Sequence, residues 1–336
     1  RPSMTARRVH TWVVLVTLII GLPGVANAYI HLAIDRPSGP VAIRWTAPRV
    51  RWYANTTAVP GVTAAQFQSE VAQAFTTWET VPTASIAFEF AGFTSAIPFD
   101  DDDLSVFGFQ SEPEMDRVLG ATTFIVDTIT GNIIESDVFF NSIFAWSTSV
   151  TGDPARFDLR SVATHEIGHF LGLGHSAIGE TEMRPEGGRR VLGSGAVMFP
   201  ISLGRGAVAD RTLQPDDIAG VSDLYPDGDF RSETGVISGR VRMNGAGVNG
   251  AHVVAFNPQS GALIGTFSAR DGTFRIGGLT PGPHAIRVEP LDDADVDSFL
   301  DPPGVNVNFQ VTFHPRLIVA PVGGANASFD VAVQPK

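Results

Sequence analysis

The sequence contains no cysteine and almost no lysine: Lys336 is the one lysine in 336 residues, and arginine supplies the other cations. The missing thiols exclude disulfides, so packing and bound ions have to stabilise the fold. Acidic residues outnumber basic ones, and the formal net charge is −12. Without a basic patch, the chain is not typical of proteins that bind nucleic acid.

The sequence also lacks an apolar run long enough to cross a bilayer, which takes ~20 residues. A shorter apolar run from Trp12 to Ile20 follows Arg7 and Arg8 and precedes a small-residue site that ends at Ala28. This order is typical of a secretory signal peptide. We therefore expect cleavage near Ala28, a secreted product (extracellular or periplasmic) and no stable membrane anchor; an anchor is the alternative interpretation of the run.

Histidine is scarce, with 8 residues, yet three of them fall in residues 165–175, which spell H-E-x-x-H-x-x-G-x-x-H. Residues four apart share one face of a helix, so His165 and His169 can bind one cation. Gly172 can end that helix in the left-handed conformation, and His175 can then supply a third ligand. Glu166, on an adjoining face, can reach a water without binding the metal. Three ligands with one open position predict a catalytic zinc site.

Ser176 directly follows His175, and the extended pattern resembles the zinc signature of the matrixin branch of the metzincin peptidases. Residues 196–200 (AVMFP) resemble the Met-turn of that family, and residues 213–225 resemble the helix that closes its catalytic domain. The resemblance covers roughly residues 41–226. It implies an α+β catalytic domain with a twisted mixed sheet and long helices, and the activity of a zinc endopeptidase.

Two M-x-P segments compete for the Met-turn: Met198 with Pro200, and Met183 with Pro185. We assign it to Met198, because its neighbours are apolar, as suits a residue buried beneath a metal. The neighbours of Met183 are charged and need water. In astacin-like and serralysin-like relatives a tyrosine assists two residues after this methionine; Pro200 occupies that position here, which favours the matrixin branch.

The resemblance also sets expectations for the metals. Vertebrate-type matrixins hold a second, structural zinc through histidines ahead of the signature; no histidine lies between His31 and His165, so we expect one catalytic zinc. A pro-segment cysteine commonly keeps matrixins latent, and a chain without cysteine excludes that route. The acidic run Asp100 to Asp103 is either a calcium site or a solvated loop. Asp293 to Asp297 alternates like a calcium loop but lacks its glycine and glutamate.

Periodicity predicts the elements around the site. Thr63 begins a capping box for an amphipathic helix to about Thr80, and Asp158 is the predicted N-cap of the zinc-binding helix. Pro215 opens the closing helix. Residues 91–117 are predicted to be a loop, and strands are predicted over residues 41–52, 85–90, 120–127 and 133–141. By resemblance, 120–127 is the edge strand that pairs with substrate.

Past Tyr225 the composition changes to short alternating strands separated by glycine, asparagine and proline. Strands are predicted over residues 236–243, 251–256, 263–268, 273–276, 284–289 and 329–333, and their spacing indicates an all-β sandwich. From Gly235 the pattern resembles the carboxypeptidase-regulatory-like, transthyretin-like module. We therefore predict a signal peptide over residues 1–28, a matrixin-like domain over 29–228, a linker over 229–234 and a sandwich over 235–336.

Together these features predict a secreted zinc-dependent endopeptidase, which hydrolyses protein or peptide bonds with zinc-activated water and Glu166 as general base. One alternative is a surface or carbohydrate binding module on a weakly active metzincin scaffold. Another is a zinc hydrolase that acts on a non-peptide ester or amide. The intact Glu166 counts against a pure binding protein, which has no use for that carboxylate. We expect a monomer whose partner is its protein or peptide substrate.

Overall fold

The computed structural model describes residues 31–34, 36–37, 39–184, 189–292 and 304–336. The predicted signal peptide and the segment from Asp293 to Asp297 lie outside these residues. Within the described ranges, no helix has the length and apolar character needed to cross a membrane.

The zinc motif belongs to a region in which strands and helices alternate. In chain order its elements are β1 (Ala33–Ile34), β2 (Val41–Ala42), β3 (Arg49–Asn55), α1 (Ala64–Glu79), β4 (Ala87–Thr94), β5 (Val106–Gln110), β6 (Gly120–Val126), β7 (Ile133–Asn141), β8 (Trp146–Ser147), β9 (Phe157–Asp158), α2 (Leu159–Phe170), β10 (Gly179–Met183), β11 (Arg189–Ser194), a 3-10 turn (Ala209–Arg211) and α3 (Pro215–Leu224).

A five-stranded sheet with the order β4-β3-β5-β7-β6 is the frame of this region. The strands β4, β3, β5 and β7 run parallel, and β6 pairs antiparallel with β7 at the edge. The sheet is therefore mixed, and the strand predicted over residues 120–127 is its edge. Gly131, with φ +73°, lets the chain turn tightly between β6 and β7, and an added Cβ would collide with the carbonyl of Ala42.

Two sequence predictions are wrong in this sheet. The strand predicted over residues 41–52 is split into β2 and β3, because Pro48 precedes β3 and has no N–H to donate to a ladder. The loop predicted over residues 91–117 contains all of β5 and the end of β4. Since β5 lies among parallel strands and is almost wholly buried, its short apolar run lacks the alternation of a half-exposed strand.

The helices α1 and α2 pack against each other and against the sheet. Thr63 and Gln66 form the predicted capping box at the start of α1. Aromatic side chains from three elements meet between helices and sheet: the Phe107 ring centroid lies 5.2 Å from that of Phe75 and 5.3 Å from that of Phe170. This core fixes α2, the helix that carries His165 and His169, relative to β5.

A short helix α4 (Phe230–Glu233) follows α3 and leads into a region built of strands. In chain order these are β12 (Gly235–Met243), β13 (Ala246–Gly247), β14 (His252–Phe256), β15 (Leu263–Phe267), β16 (Thr273–Leu279), β17 (Gly282–Glu289), β18 (Thr312–Phe313), β19 (Ile318–Ala320) and β20 (Ala325–Ala332).

These strands form the predicted all-β sandwich. One sheet contains β13, β12, β16 and β20, and the other contains β15, β14, β17, β18 and β19. Buried aliphatic side chains, Val241 and Ile286 among them, form a second core between the sheets. The six predicted strands are present with shifted ends. The sequence did not predict the strands β13, β18 and β19, because two or three residues are too few to show an alternation of apolar and polar side chains.

The sandwich packs directly on α3 and on the segment that follows His175. Ala219 of α3 belongs to the core of the sandwich. Ala177 packs with Phe267 and Leu291 in a separate small apolar cluster. The two regions therefore share apolar surface beside the zinc motif.

Candidate metal centre

Helix α2 is fixed by hydrogen bonds at both ends. At its start, the Asp158 carboxylate accepts a hydrogen bond from the backbone N–H of Ser161 (2.8 Å) and forms an ion pair with Arg211. At its end, the Tyr225 hydroxyl donates to the Leu171 carbonyl (2.6 Å), one of the groups that a helix end leaves without a helical partner. The predicted N-cap is confirmed, and the helix that carries the histidines is well anchored.

Two glycines of the motif are required by close approaches. Gly172 has φ +96°, and a Cβ at this position would also collide with the carbonyl of Ile43. Gly168 faces Met198 so closely that an added Cβ would collide with Met198 Sδ. The chain therefore turns sharply at Gly172 and brings His175 back toward the helix.

The three imidazole rings converge on one point. His169 Nε2 lies 3.1 Å from His165 Nε2 and 3.1 Å from His175 Nε2. One ligand nitrogen from each ring lies within 4.8 Å of the others. Nitrogens that share a tetrahedral zinc at about 2.0–2.1 Å are roughly 3.3 Å apart, so this donor set fits one zinc ion.

Backbone carbonyls set the protonation of two of these rings. His165 Nδ1 lies 2.7 Å from the carbonyl of Val197, and His169 Nδ1 lies 2.8 Å from the carbonyl of Leu173. A carbonyl only accepts, so Nδ1 carries the proton and Nε2 presents its lone pair to the point of convergence. Burial lowers the pKa of both histidines, for His169 to about 3, where the neighbouring His165 adds to the effect. Both rings are neutral at neutral pH, the form that binds metal.

Glu166 lies between α2 and the edge strand β6. Its side chain is 5% exposed, and Oε2 accepts a hydrogen bond from Thr122 Oγ1 (2.8 Å). A Cβ on Gly120 would come within 3.1 Å of Oε1, so the carboxylate lies against β6. Burial raises the pKa of Glu166 to about 7, and the hydrogen bond from Thr122 opposes that rise. A carboxyl with this pKa can take up and release a proton near neutral pH.

Met198 is buried against α2, where it lies beside Gly168. Asp217, in the first turn of α3, accepts hydrogen bonds from the backbone N–H groups of Val197 (2.8 Å) and Met198 (3.1 Å). Pro200 follows this turn and is half-buried. Met183 lies elsewhere, in the hairpin of β10 and β11. The structure thus places Met198, rather than Met183, beside the helix that carries the histidines.

Sequence reasoning missed two residues that support the site. Thr122 lies in a strand, where threonine is ordinary, and nothing local in the sequence pairs it with Glu166. For Asp217 the sequence indicates only an acidic residue in the first turn of α3, where a carboxylate is favourable. The sequence does hint at a further role for Asp217, because helix capping does not require two consecutive aspartates directly after Pro215.

The acidic run Asp100 to Asp103 is exposed and lies in front of two buried carboxyls. Asp137 accepts hydrogen bonds from the backbone N–H groups of Phe99 (2.6 Å) and Val106 (2.7 Å). Glu135 is 3% exposed, and its Oε2 has no hydrogen-bond partner. Burial, with a smaller contribution from neighbouring carboxylates, raises the pKa of Glu135 to about 8 and that of Asp137 to about 7.

Comparison with known families points to the same residues. Residues 44–188 match the family model described as Matrixin, and residues 236–299 match the one described as Carboxypeptidase regulatory-like domain. The chain carries a matrixin domain. The matched part of this matrixin domain contains His165, His169 and His175, and the matrixin family is zinc-dependent.

Curated matrixin relatives are similar over short stretches. Metalloendoproteinase 5-MMP of Arabidopsis thaliana is 42% identical over 77 residues, which cover 21% of this chain and 16% of that protein. Metalloendoproteinase 1-MMP of the same plant is 46% identical over 68 residues, which cover 20% and 14%. Matrilysin of Rattus norvegicus is 34% identical over 89 residues, which cover 26% of each chain. These matches thus span 14–26% of the relatives' own lengths.

Proposed function

We propose that this chain is a secreted zinc-dependent endopeptidase in which His165, His169 and His175 hold the metal. The observation that carries the proposal is the convergence of three imidazoles at 3.1 Å spacings, two of them with Nδ1 bonded to a backbone carbonyl. The matrixin domain, at the level of the family, supports a metalloendopeptidase. When bound, zinc supplies a Lewis acid that polarises a carbonyl oxygen and acidifies water.

Glu166 is the general base of this proposal. Its carboxylate accepts a proton from the attacking water and later donates it to the departing amine. The hydrogen bond from Thr122 holds Oε2 in place, and burial brings the pKa of Glu166 to about 7, so both protonation states are accessible at neutral pH. Met198 supplies a packed floor beneath the histidines and takes no part in proton transfer.

The edge strand β6 is the proposed docking site for substrate. Of the strands that the structure describes, β7 is the one that pairs with β6, so we propose that an extended peptide pairs with the outer edge of β6. Gly120 and Thr122 of this strand contact the carboxylate of Glu166. A peptide paired along β6 therefore passes beside the proposed general base.

We also propose that the chain is exported and that the signal peptide is removed after Ala28. The support is the order of basic residues, apolar run and small-residue site in the sequence. N-terminal sequencing of the protein recovered outside the producing cell is expected to begin at Tyr29. Recovery of the protein inside the cell with residues 1–28 intact would contradict export.

The activity is tested on the full chain with an unfolded, fluorescently labelled protein as substrate and with zinc measured by mass spectrometry. We expect one zinc per chain, and cleavage that a chelator abolishes and added zinc restores. Glu166→Gln is expected to retain the zinc and to lower kcat by about 10²–10⁴-fold, the usual contribution of a general base. Glu79→Gln, at the exposed end of α1, is the matched control and is expected to cleave normally.

The competing functions give different results in the same assay. A zinc-loaded chain that cleaves no protein or peptide at neutral pH ends the peptidase proposal. If such a chain hydrolyses a non-peptide ester or amide, it is a hydrolase of another class. If it is inert but its sandwich retains glycans or cell surfaces, it is a binding module on an inactive scaffold.

Calcium at the acidic run stays a prediction. The feature that favours it is the unpaired, buried Oε2 of Glu135 behind Asp100 to Asp103. Equilibrium dialysis with calcium, comparing the natural chain with Glu135→Gln, tests it: calcium retained by the first and lost by the second supports a site.

A further inference from the structure

One carboxylate joins the zinc motif to the sandwich. The hydroxyl of Ser176, the residue after His175, donates to Asp216 Oδ2 (2.6 Å). Asp216 Oδ1 accepts a hydrogen bond from the backbone N–H of Gly265 in β15 (2.9 Å). Ser176 is 6% exposed and Asp216 is 2% exposed, so water does not replace these bonds easily. The position of Ser176 therefore depends on a strand that is far away in the sequence.

The sandwich can make this bond because β15 is an edge strand. It pairs with β14 on one side, and among the described residues no strand pairs with its other side. Edge strands expose N–H groups that need a partner, and Asp216 provides one. The approach also requires glycine, since a Cβ on Gly265 would lie 2.7 Å from His252 Nε2 and 3.2 Å from Ile178 Cγ1.

Ser176 is held from the catalytic side as well. Its backbone N–H donates to the carbonyl of Met198 (2.9 Å), and its hydroxyl oxygen accepts a hydrogen bond from Ile178 N (3.2 Å). With the bond to Asp216, three contacts fix the backbone directly after His175. The contact with Asp216 continues to the sandwich through the N–H of Gly265.

The sandwich further stabilises the buried charge. Burial raises the pKa of Asp216, while the hydrogen bonds from Ser176 and Gly265 and the nearby His252 lower it. His252 is buried and its Nδ1 lies 3.0 Å from Glu289 Oε1. Two of the contributions that lower the pKa of Asp216, those of Gly265 and His252, therefore come from the sandwich.

We infer that the sandwich positions the zinc centre: docking of β15 on Asp216 fixes Ser176 and, through the backbone, the ring of His175. Asp216 is a positioning residue, because it contacts neither the metal ligands' rings nor a reacting group. The kinetic consequence rests on the proposed function. The effect on metal affinity does not, since it is measured without substrate.

The test uses the full chain with Asp216→Ala and the conservative Asp216→Asn. Zinc affinity is measured by competition with a chromogenic chelator, and ligand geometry by the visible spectrum of the cobalt-substituted protein. Loss of groups that orient metal ligands typically weakens metal binding about 10–100-fold, so for Asp216→Ala we expect a Kd raised about tenfold or more and an altered cobalt spectrum. We expect kcat to fall while KM changes little. An asparagine amide can still accept from Gly265 and donate to Ser176, so Asp216→Asn is expected to recover most of the affinity.

A second variant approaches the same bond from the sandwich. Gly265→Ala inserts a Cβ that pushes β15 away from Ile178, and it is expected to weaken zinc binding as Asp216→Ala does. In the double variant with Asp216→Ala, Gly265→Ala is expected to weaken zinc binding little further, because both substitutions break the same contact. Val331→Ala is the matched control: Val331 lies in the sandwich core on β20, in the other sheet, so this variant destabilises the sandwich without touching the bond.

The inference is overturned if folded Asp216→Ala and Gly265→Ala bind zinc as tightly as the natural chain with an unchanged cobalt spectrum. It is also overturned if Val331→Ala weakens zinc binding equally, since the effect would then be one of general stability. Should Asp216→Ala fail to fold, Ser176→Ala and Gly265→Ala decide the question. A chain without peptidase activity whose zinc affinity follows these expectations would end the proposed function and leave the positioning role intact.

Discussion

The matrixin region, which runs from β1 to α3, and the sandwich, which runs from β12 to β20, bury different kinds of polar side chain. The matrixin region encloses ionisable side chains at several places: Glu135, Asp137, Asp158, Glu166, His169, Asp216 and Asp217. In the described part of the sandwich, the buried polar side chains are hydroxyls, one amide and two histidines: Thr266, Ser268, Asn257, His252 and His284. Burying a carboxylate is costly unless it is paired, so a region that does so repeatedly sacrifices stability for chemistry and for specific contacts.

The comparison also shows where the two regions depend on each other. The sandwich buries an aliphatic core, to which α3 contributes Ala219. The matrixin region uses a sandwich strand to satisfy one of its buried carboxylates, Asp216. Changes in groups buried around the histidines should therefore have functional effects, whereas changes in the sandwich away from its contact with Asp216 should affect stability alone.

The largest difference is expected for two histidines that are equally buried. His169 and His284 are 2% and 1% exposed. His169→Ala removes the ligand that contacts both other imidazoles, so we expect zinc loss and at least a ~10³-fold fall in peptidase activity. His284→Ala removes one hydrogen bond, with Gly282 O, and should lower the free energy of unfolding by ~1–3 kcal/mol with full zinc content. Measuring the zinc content of both variants checks this prediction. Zinc loss from His284→Ala would show that a buried histidine of the sandwich also affects the metal centre.

A smaller difference is expected for two glycines. Gly168→Ala forces a Cβ against Met198 Sδ, and overpacking of this kind typically costs 1–3 kcal/mol, so we expect a lower melting temperature and weaker activity. Gly324→Ala in the sandwich meets only Pro321 Cγ at 3.4 Å, an ordinary contact, and should change stability little. Thermal unfolding followed by circular dichroism measures both. Equal losses would show that the helix and Met198 can adjust freely.

A third difference concerns the pH dependence of stability. Glu135 and Asp137 have folded-state pKa values of about 8 and 7, above their ordinary values near 4, so the folded chain binds more protons than the unfolded chain between pH 4 and 8. The stability of the matrixin region should therefore fall as pH rises through this window, by at most about 1.4 kcal/mol per pH unit for each carboxyl. Denaturant unfolding of the metal-free chain, followed by tryptophan fluorescence, reports this region, since the described tryptophans lie in it.

Glu135→Gln should flatten that pH dependence. In the sandwich, Glu289 changes stability with pH in the opposite direction. Burial would raise the pKa of Glu289, but hydrogen bonds and charges from His252 and Arg287 outweigh burial and lower that pKa. The contribution of Glu289 is thus present above its unfolded pKa and lost as pH falls through its folded pKa. If Glu135→Gln leaves the pH dependence unchanged, Glu135 is not its source.

Much of the site was predictable from local pattern. The helix that carries His165 and His169, its N-cap Asp158 and the turn at Gly172 depend on residues close together in the chain, so spacing alone indicates them. The strand β5 was not predictable in this way, because a strand buried on both faces has no alternation of apolar and polar residues. The single strand predicted over residues 41–52 failed for a local reason, the proline before β3.

By itself the sequence determined the identity and order of the metal-binding groups, because a helical period of 3.6 and a glycine turn bring three nearby histidines together. It also determined that a separate set of strands follows. The tertiary structure alone decided which distant groups contact that site: Thr122 on Glu166, Asp217 on the Met198 turn, and Gly265 on Asp216. These contacts join residues 19 to 49 positions apart, so they depend on how the elements pack and leave no periodic trace in the chain.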